Sequence, residues 1–139
     1  MTVIERLEKA KEGSRELDAE ILRAVKPEFA DMALHPHAPG WLMGGDHKQP
    51  EYAPAYTQSL DAALTLVADD WWPAFACYDN GRFGAHVWLR GPSNPVASDM
   101  KVWGEAHLRP ARTDGYKHAI ALYPLALCIA ALKARMGRG

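Results

Sequence analysis

The chain is poor in cysteine, and this scarcity excludes several classes of protein. Its two cysteines, Cys77 and Cys128, lie in apolar surroundings and form no CxxC or Cys/His spacing typical of zinc or redox sites. Two reduced, buried thiols in a cytoplasm fit this usage better than the disulfide framework of a small secreted protein. A single disulfide between the two residues stays an open alternative.

Long hydrophobic runs are also absent. No stretch of about eighteen apolar residues occurs, and residues 1–12 are charged and periodic, so we expect neither a membrane span nor a secretory signal. The 139 residues are 48% hydrophobic and 24% charged, which suits a globular protein with a proper core. We therefore predict a single domain over residues 1–139.

The net charge is only −1, but acidic and basic residues are separated along the chain. Acids dominate between residues 27 and 100, and bases dominate from there onward. Lys133, Arg135 and Arg138 close a predicted C-terminal helix, where cations offset the negative end of the helix dipole. We therefore expect no nucleic-acid binding, and a basic C-terminal segment that contacts phosphate is the weaker alternative.

Capping residues predict where three helices begin. Residues 2–5 form a Thr-x-x-Glu capping box, and Ser14 can cap a second helix that Pro27 ends. A third helix begins after Thr57 or Ser59, whose side-chain oxygens can accept from backbone N–H groups of the first turn. The apolar residues that follow repeat at three- and four-residue intervals, as on one face of a helix.

Residues 28–55 are rich in proline and glycine and predict a long loop that packs on its own domain. Trp41 is a candidate binding anchor in this loop, and Asp46 is a second candidate binding residue. A histidine pair followed by Asp-His is no recognised metal spacing, so we assign no metal and no cofactor. The candidate metal ligands would be His35, His37, Asp46 and His47.

Asn80-Gly81 is the strongest local signal in the chain, because both residues tolerate the positive φ of a type I′ hairpin turn. This turn sets a register in which Tyr78 opposes Phe83 and Ala76 opposes Ala85. Both faces of the resulting ribbon are largely apolar. We therefore expect helices or another subunit to cover both sides.

The rest of the chain predicts more sheet and a final helix. Residues 100–108 alternate between apolar and polar, and residues 116–122 extend a fourth strand. Pro124 suits the first turn of a helix so apolar that we expect the sheet on one side and a subunit mate, in a homodimer, on the other. The predicted class is α+β: an α/β/α sandwich with a three- to four-stranded, mainly antiparallel sheet covered by helices on both faces.

Three segments resemble the phage ABA-sandwich domain, a family of small phage and prophage proteins of unassigned function. They are PAYTQSLDAALTLV (residues 54–67), PLALCIAALKAR (residues 124–135) and SRELDAEI (residues 14–21), which is similar to the family's opening helix. The resemblance implies an α/β/α sandwich and a phage origin, and with it the cytoplasm of a bacterial host. It implies no catalytic residues.

Motifs that would reveal an enzyme are missing. The chain has no Walker-type loop, no Gly-x-Ser-x-Gly and no HExxH, so we assign no catalytic residue. The best constellation forms if the strand over 100–108 pairs beside the second strand of the hairpin. His86, Glu105 and His107 would then be the candidate catalytic residues, with Trp88 and Trp103 as candidate binding residues beside them.

Two classes of function follow. The favoured one, which rests on the resemblance, is a non-catalytic phage accessory protein that binds a host protein, such as an inhibitor of bacterial anti-phage defence, CRISPR systems among them. Its contact residues would be Trp41, Asp46, Trp88 and Trp103. The alternative is a small-ligand-binding or metal-dependent hydrolytic enzyme that uses the histidine and glutamate side chains on the sheet.

Overall fold

A computed structural model describes residues 2–44, 49–79, 82–92, 100–110 and 115–137. The side chains of Asp79, Pro92, Met100, Lys101 and Gly137 lie outside this description. In chain order the elements are α1 (Val3–Lys9), α2 (Arg15–Val25), a 3-10 helix (Pro27–Phe29), β1 (Ala33–Leu34), β2 (Trp41–Met43), β3 (Glu51–Tyr52), α3 (Leu60–Leu64), β4 (Trp72–Asp79), β5 (Arg82–Pro92), β6 (Met100–Leu108), α4 (Tyr116–Ile120) and α5 (Tyr123–Gly137).

The helix caps are those that the sequence predicts. The Thr2 side chain accepts a hydrogen bond from the Glu5 N–H at 3.2 Å, and the Ser14 side chain caps α2 in the same way. Ser59, and not Thr57, caps α3. Each cap satisfies a donor that has no partner within its own helix, and this fixes where the helix starts.

The main sheet has the order β4-β5-β6, and both pairs of strands are antiparallel. At the hairpin tip the predicted register is confirmed, with Tyr78 opposite Phe83. Farther along, Ala76 faces His86 and not Ala85, because β5 has one extra residue where Gly84 and Ala85 lie opposite Cys77. A β-bulge of this kind shifts every later pair by one position, so the predicted pairing beyond Cys77 is wrong. The turn residues Asn80 and Gly81 lie outside the described residues.

A second irregularity lies where β5 pairs with β6. Leu89 pairs with Gly104, but Arg90 pairs with Val102, so Trp103 is the extra residue. The bulge interrupts the alternation that the sequence predicts along β6. Trp103 therefore lies on the side of Gly91 and packs against the core.

Helix α5 packs on one face of the main sheet, which we call the inner face. Ala85, Val87 and Leu89 of β5 are buried on this face, and Gly104 of β6 lies directly against the backbone of Ala130. Every residue from Leu125 to Leu132 is buried. The α+β class with a three-stranded antiparallel sheet is confirmed, and the mixture of helices and strands is compatible with the predicted sandwich.

The opposite, outer face of the main sheet carries side chains that alternate with the buried ones. Trp88 and His86 are half-buried, and Glu105 and His107 are exposed. The helical cover that the sequence predicts is therefore seen on the inner face, whereas the described residues of the outer face remain accessible.

The predicted fourth strand over 116–122 is wrong, because this segment begins with helix α4. Ala119 and Leu122 are its buried residues and lie three positions apart. That spacing belongs to a helix, and the alternation of apolar residues in the sequence is equally compatible with a strand over so short a segment.

Helices α4 and α5 together are long and apolar enough to resemble a membrane span. They form a segment, Tyr116–Met136, with a mean hydropathy of 1.6, of which 67% is buried inside the protein. Burial of this extent is typical of a core helix. The described residues of the chain thus cover most of this helix, and a homodimer through it stays a prediction.

The proline- and glycine-rich region contains a small second sheet, with the order β1-β2-β3. Leu42 in its central strand is fully buried, together with Met32 and Ala53, so the region packs on its own domain, as we expect from the sequence. The two cysteines are free, and Cys128 is buried, as the sequence also predicts.

Candidate functional site

The small sheet exposes three large apolar side chains on one face. Trp41, Met43 and Tyr52 are 37%, 39% and 51% exposed, and we call them the aromatic patch. Trp41 is paired with Tyr52 across the strands, and their ring centroids are 4.8 Å apart. Leu42 lies between the two exposed residues of β2 and points into the core, so the patch is fixed to the rest of the protein.

Arg15 supports the aromatic patch from below. Its guanidinium lies 4.3 Å from the centroid of the Tyr52 ring, and it also donates to the carbonyl oxygen of Ala53. Gly40 has φ +92, and a Cβ atom at this position would lie 2.9 Å from Arg15 Nε and 3.2 Å from the Tyr52 ring. Glycine is required here both for the positive φ and for the close approach of these groups.

A buried carboxylate in turn positions Arg15. Asp18 is completely buried and forms an ion pair with Arg15 Nη1 at 2.6 Å. Its second oxygen accepts from the backbone N–H of Thr57 at 2.7 Å and from the Thr57 hydroxyl at 2.6 Å. Buried charges are tolerated only when they are paired in this way. The patch is therefore connected to helix α2 and to the segment before α3.

The second group of candidate residues lies on the outer face of the main sheet, and we call it the histidine cluster. His86 Nε2 lies 2.7 Å from Glu105 Oε1, and the ring of His107 stacks on that of His86 with a centroid distance of 4.8 Å. The ring centroid of Trp88 lies 4.4 Å from that of His86. The structure thus brings together four of the five residues that the sequence predicts. It does not bring Trp103 there, because the bulge turns that residue toward the core.

The histidine cluster contains an imidazole and carboxylate pair, which can transfer a proton or bind a polar ligand. A carboxylate that holds one imidazole nitrogen orients the ring, as in many general-base sites. Hydrolysis by covalent catalysis also needs a nucleophile beside the base, and neither serine nor cysteine occurs among the cluster's described residues. No group of three metal-ligating side chains occurs in the part of the chain that the structure describes.

The candidate metal ligands of the loop region are not brought together. The His35 ring nitrogen Nδ1 accepts from the backbone N–H groups of His37 and Ala38 at 3.1 and 3.0 Å, so it stabilises a turn. Asp46 and His47 lie outside the described residues, and Asp46 is therefore also untested as a binding residue.

The basic C-terminal residues have partners within the chain. Lys133 lies 3.2 Å from Glu8 of α1, and Arg135 donates to the carbonyl oxygen of Leu66 at 3.0 Å. These contacts hold α5 against α1 and against the segment that follows α3. Arg138 lies outside the described residues.

Sequence reasoning missed the partners of Trp41. Tyr52 and Met43 belong to strands of two and three residues, which are too short to show an alternating pattern. From the sequence alone, Arg15 is expected to be an exposed residue in the first turn of a helix. The one available signal was Gly40 directly before Trp41, since a glycine beside a large aromatic residue often marks a close approach of chain segments.

Comparison of the chain with protein families, with characterised proteins and with solved structures found no match.

Proposed function

We propose that the chain is a phage- or prophage-encoded accessory protein that binds a host protein and catalyses no reaction. The observation that carries the proposal is the aromatic patch, in which Trp41 and Tyr52 are exposed as a contacting pair. Tryptophan and tyrosine are enriched among the residues that dominate the free energy of protein association. The phage origin and the role against host defence rest on the sequence resemblance to the ABA-sandwich domain.

The support beneath the patch favours a binding role over incidental exposure. Gly40, Arg15 and Asp18 hold Tyr52 in place, so little side-chain freedom is lost when a partner covers it. Such preorganisation raises affinity because binding then costs less conformational entropy.

We predict that Trp41→Ala abolishes capture of the host partner. The experiment is an affinity pull-down from a host lysate with wild-type protein and the variant, followed by mass spectrometry of the bound proteins. Truncation of a dominant interface residue weakens binding by about 2 kcal/mol or more, close to thirtyfold. Tyr116→Ala, which truncates an exposed aromatic residue on α4, is the matched control. Equal capture by wild type and Trp41→Ala, or no specific capture by the wild type, would contradict the proposal.

The histidine cluster supports a second candidate, an enzyme or receptor for a small ligand. The observation that favours it is the 2.7 Å contact between His86 and Glu105. If this candidate is correct, a screen of metal ions, nucleotides and esters with the wild-type protein identifies a ligand or a hydrolysed substrate. His86→Gln then reduces that binding or turnover at least tenfold, because the oriented ring is lost. A negative screen, or an unchanged His86→Gln variant, excludes this function.

A further inference from the structure

The outer face of the main sheet combines aromatic rings with exposed arginines along strand β5. Side chains of a strand alternate between faces, so Gly84, His86, Trp88 and Arg90 share the outer face. Trp72 of β4 pairs with Arg90 of β5, and its side chain is 65% exposed. One end of this face therefore presents an indole beside a guanidinium, and its centre presents Trp88 and the stacked histidines.

The other end of the face has a second cationic group. A Cβ atom at Gly84 would lie 3.1 Å from Arg109 Nη1 and 3.3 Å from His107 Nε2. Both nitrogens thus converge over a residue that has no side chain. Arg109 Nη1 donates a long hydrogen bond, 3.4 Å, to the carbonyl oxygen of Phe83, so other donors of its guanidinium remain for a ligand.

The charge of this face differs from that of the whole chain. Glu105 is the one carboxylate among the described side chains of β4, β5 and β6, and His86 already contacts it. Asp79, whose side chain is not described, stands opposite Arg82 at the hairpin tip. Although the net charge of the chain is −1, the outer face thus combines arginines at both ends with a single paired carboxylate between them.

We propose that this outer face binds single-stranded nucleic acid, with bases stacked on Trp88 and Trp72 and phosphates held by Arg90 and Arg109. The seven residues from Gly84 to Arg90 span about 20 Å, since each of the six steps along the strand adds about 3.3 Å. That length accommodates a few nucleotides. Exposed aromatic rings flanked by cations are the recurrent means of binding a single strand without reading its sequence.

A double helix fits this face poorly. Its bases are already stacked and cannot lie on the indole rings, so the duplex offers only phosphates. The proposal does not rest on the partner-binding role of the aromatic patch, which lies on the other sheet. It also differs from binding through the basic C-terminal segment, where Lys133 and Arg135 have internal partners.

The test is fluorescence anisotropy with labelled ten-nucleotide strands of DNA and RNA and with the matching duplex, at about 50 mM salt and above. We expect the full chain to bind the single strands more tightly than the duplex. Trp88→Ala should weaken binding about tenfold, and Trp88→Phe should retain most of it because a ring remains for stacking. Arg90→Ala and Arg109→Ala should each weaken binding and reduce the salt slope by about 0.7.

Lys26→Ala, an exposed cation directly after α2, is the matched control and should bind as the wild type does. Circular dichroism of each variant establishes that the fold is intact. Absence of single-strand binding by the wild type overturns the proposal. So does binding that Arg90→Ala, Arg109→Ala and Trp88→Ala all leave unchanged, or duplex binding that equals single-strand binding and is lost in Lys133→Ala.

Discussion

Asp18 is a charged side chain in the core, and its partners explain how it is tolerated there. Two groups of Thr57 donate to one of its oxygens and Arg15 pairs with the other, all within 2.7 Å. Hydrogen bonds to a charged acceptor contribute more than neutral ones, roughly 1.5–3 kcal/mol each. This network joins the start of α2 to the segment before α3, which are 39 positions apart in the chain.

We predict that Asp18→Asn lowers the free energy of unfolding by about 2–3 kcal/mol, because the amide keeps one acceptor but lacks the charge that pairs with Arg15. Urea denaturation followed by circular dichroism measures the change. Asp69→Asn removes an exposed carboxylate and serves as the control, with an expected change below about 0.5 kcal/mol. Equal stabilities of Asp18→Asn and the wild type would show that the network contributes little.

Some features of single residues could be predicted from the sequence, and others could not. The caps at Thr2, Ser14 and Ser59 follow from residue type and local spacing, because a cap bonds to a backbone group only two or three positions away. The burial of Asp18 could not be predicted in this way. An aspartate in the first turn of a helix is normally exposed, and the positive end of the helix dipole stabilises it. The partner of Asp18, Thr57, is distant in sequence.

Helix α5 packs so closely on β6 that no side chain fits at Gly104. A Cβ atom at Gly104 would overlap the carbonyl group of Ala130 and lie 3.0 Å from the backbone nitrogen of Ala134. Backbone atoms of a helix cannot move aside as a flexible side chain can. Glycine therefore sets the distance between the last helix and the main sheet.

We predict that Gly104→Ala lowers the free energy of unfolding by about 1–3 kcal/mol, because the added methyl group forces α5 away from the sheet. Thermal and urea denaturation measure this loss. Gly115→Ala is the matched control, since among the described residues a Cβ atom there has no neighbour within 4 Å and the backbone is extended, with φ −171. A Gly104→Ala variant as stable as this control would contradict the packing described for the two elements.

Strand positions were predictable, but the bulges were not. Asn-Gly and the alternation of residues 100–108 locate the hairpin and β6 correctly. The extra residue of β5 lies at Gly84–Ala85 and that of β6 is Trp103, directly before Gly104. A glycine inside a strand is only a weak signal of a bulge, so neither register shift could be predicted. The residues with regular pairing therefore lie together in the histidine cluster, as predicted. Trp103 lies outside the cluster.

On the scale of the whole molecule, Cys128 lies at the centre of the core. It is completely buried, and its Sγ donates to the carbonyl oxygen of Tyr56 at 3.1 Å. Burial raises the pKa of the Cys128 thiol far above its ordinary value, so the reactive thiolate is scarce at neutral pH. Cys77 is only half-buried.

We predict that a thiol reagent labels Cys77 well before Cys128 in the native protein, and that Cys128 reacts only when the core opens. Mass spectrometry of Cys77→Ser and Cys128→Ser over time, with and without denaturant, separates the two rates. In Cys77→Ser, labelling should therefore begin at the denaturant concentration of global unfolding. Rapid labelling of native Cys77→Ser would mean that α5 is not a permanent part of the core.

The global arrangement follows from the sequence at the level of class. A charged, capped N-terminal region, a hairpin and an apolar C-terminal helix predict helices packed on an antiparallel sheet. The small sheet was not predicted, because its strands of two and three residues owe their pairing to the core beneath Leu42 and to the Arg15 contact. Of the three residues of the aromatic patch, the sequence therefore identified only Trp41.

The bulge at Trp103 divides β6 into two halves that follow opposite phases of alternation. Val102 points outward on one side of it, and Glu105 and His107 point outward on the other. Deletion of this single residue would restore a regular strand in which both halves keep the orientation they have now. Any alignment of this chain with a protein whose strand is regular must consequently place a one-residue gap at this position.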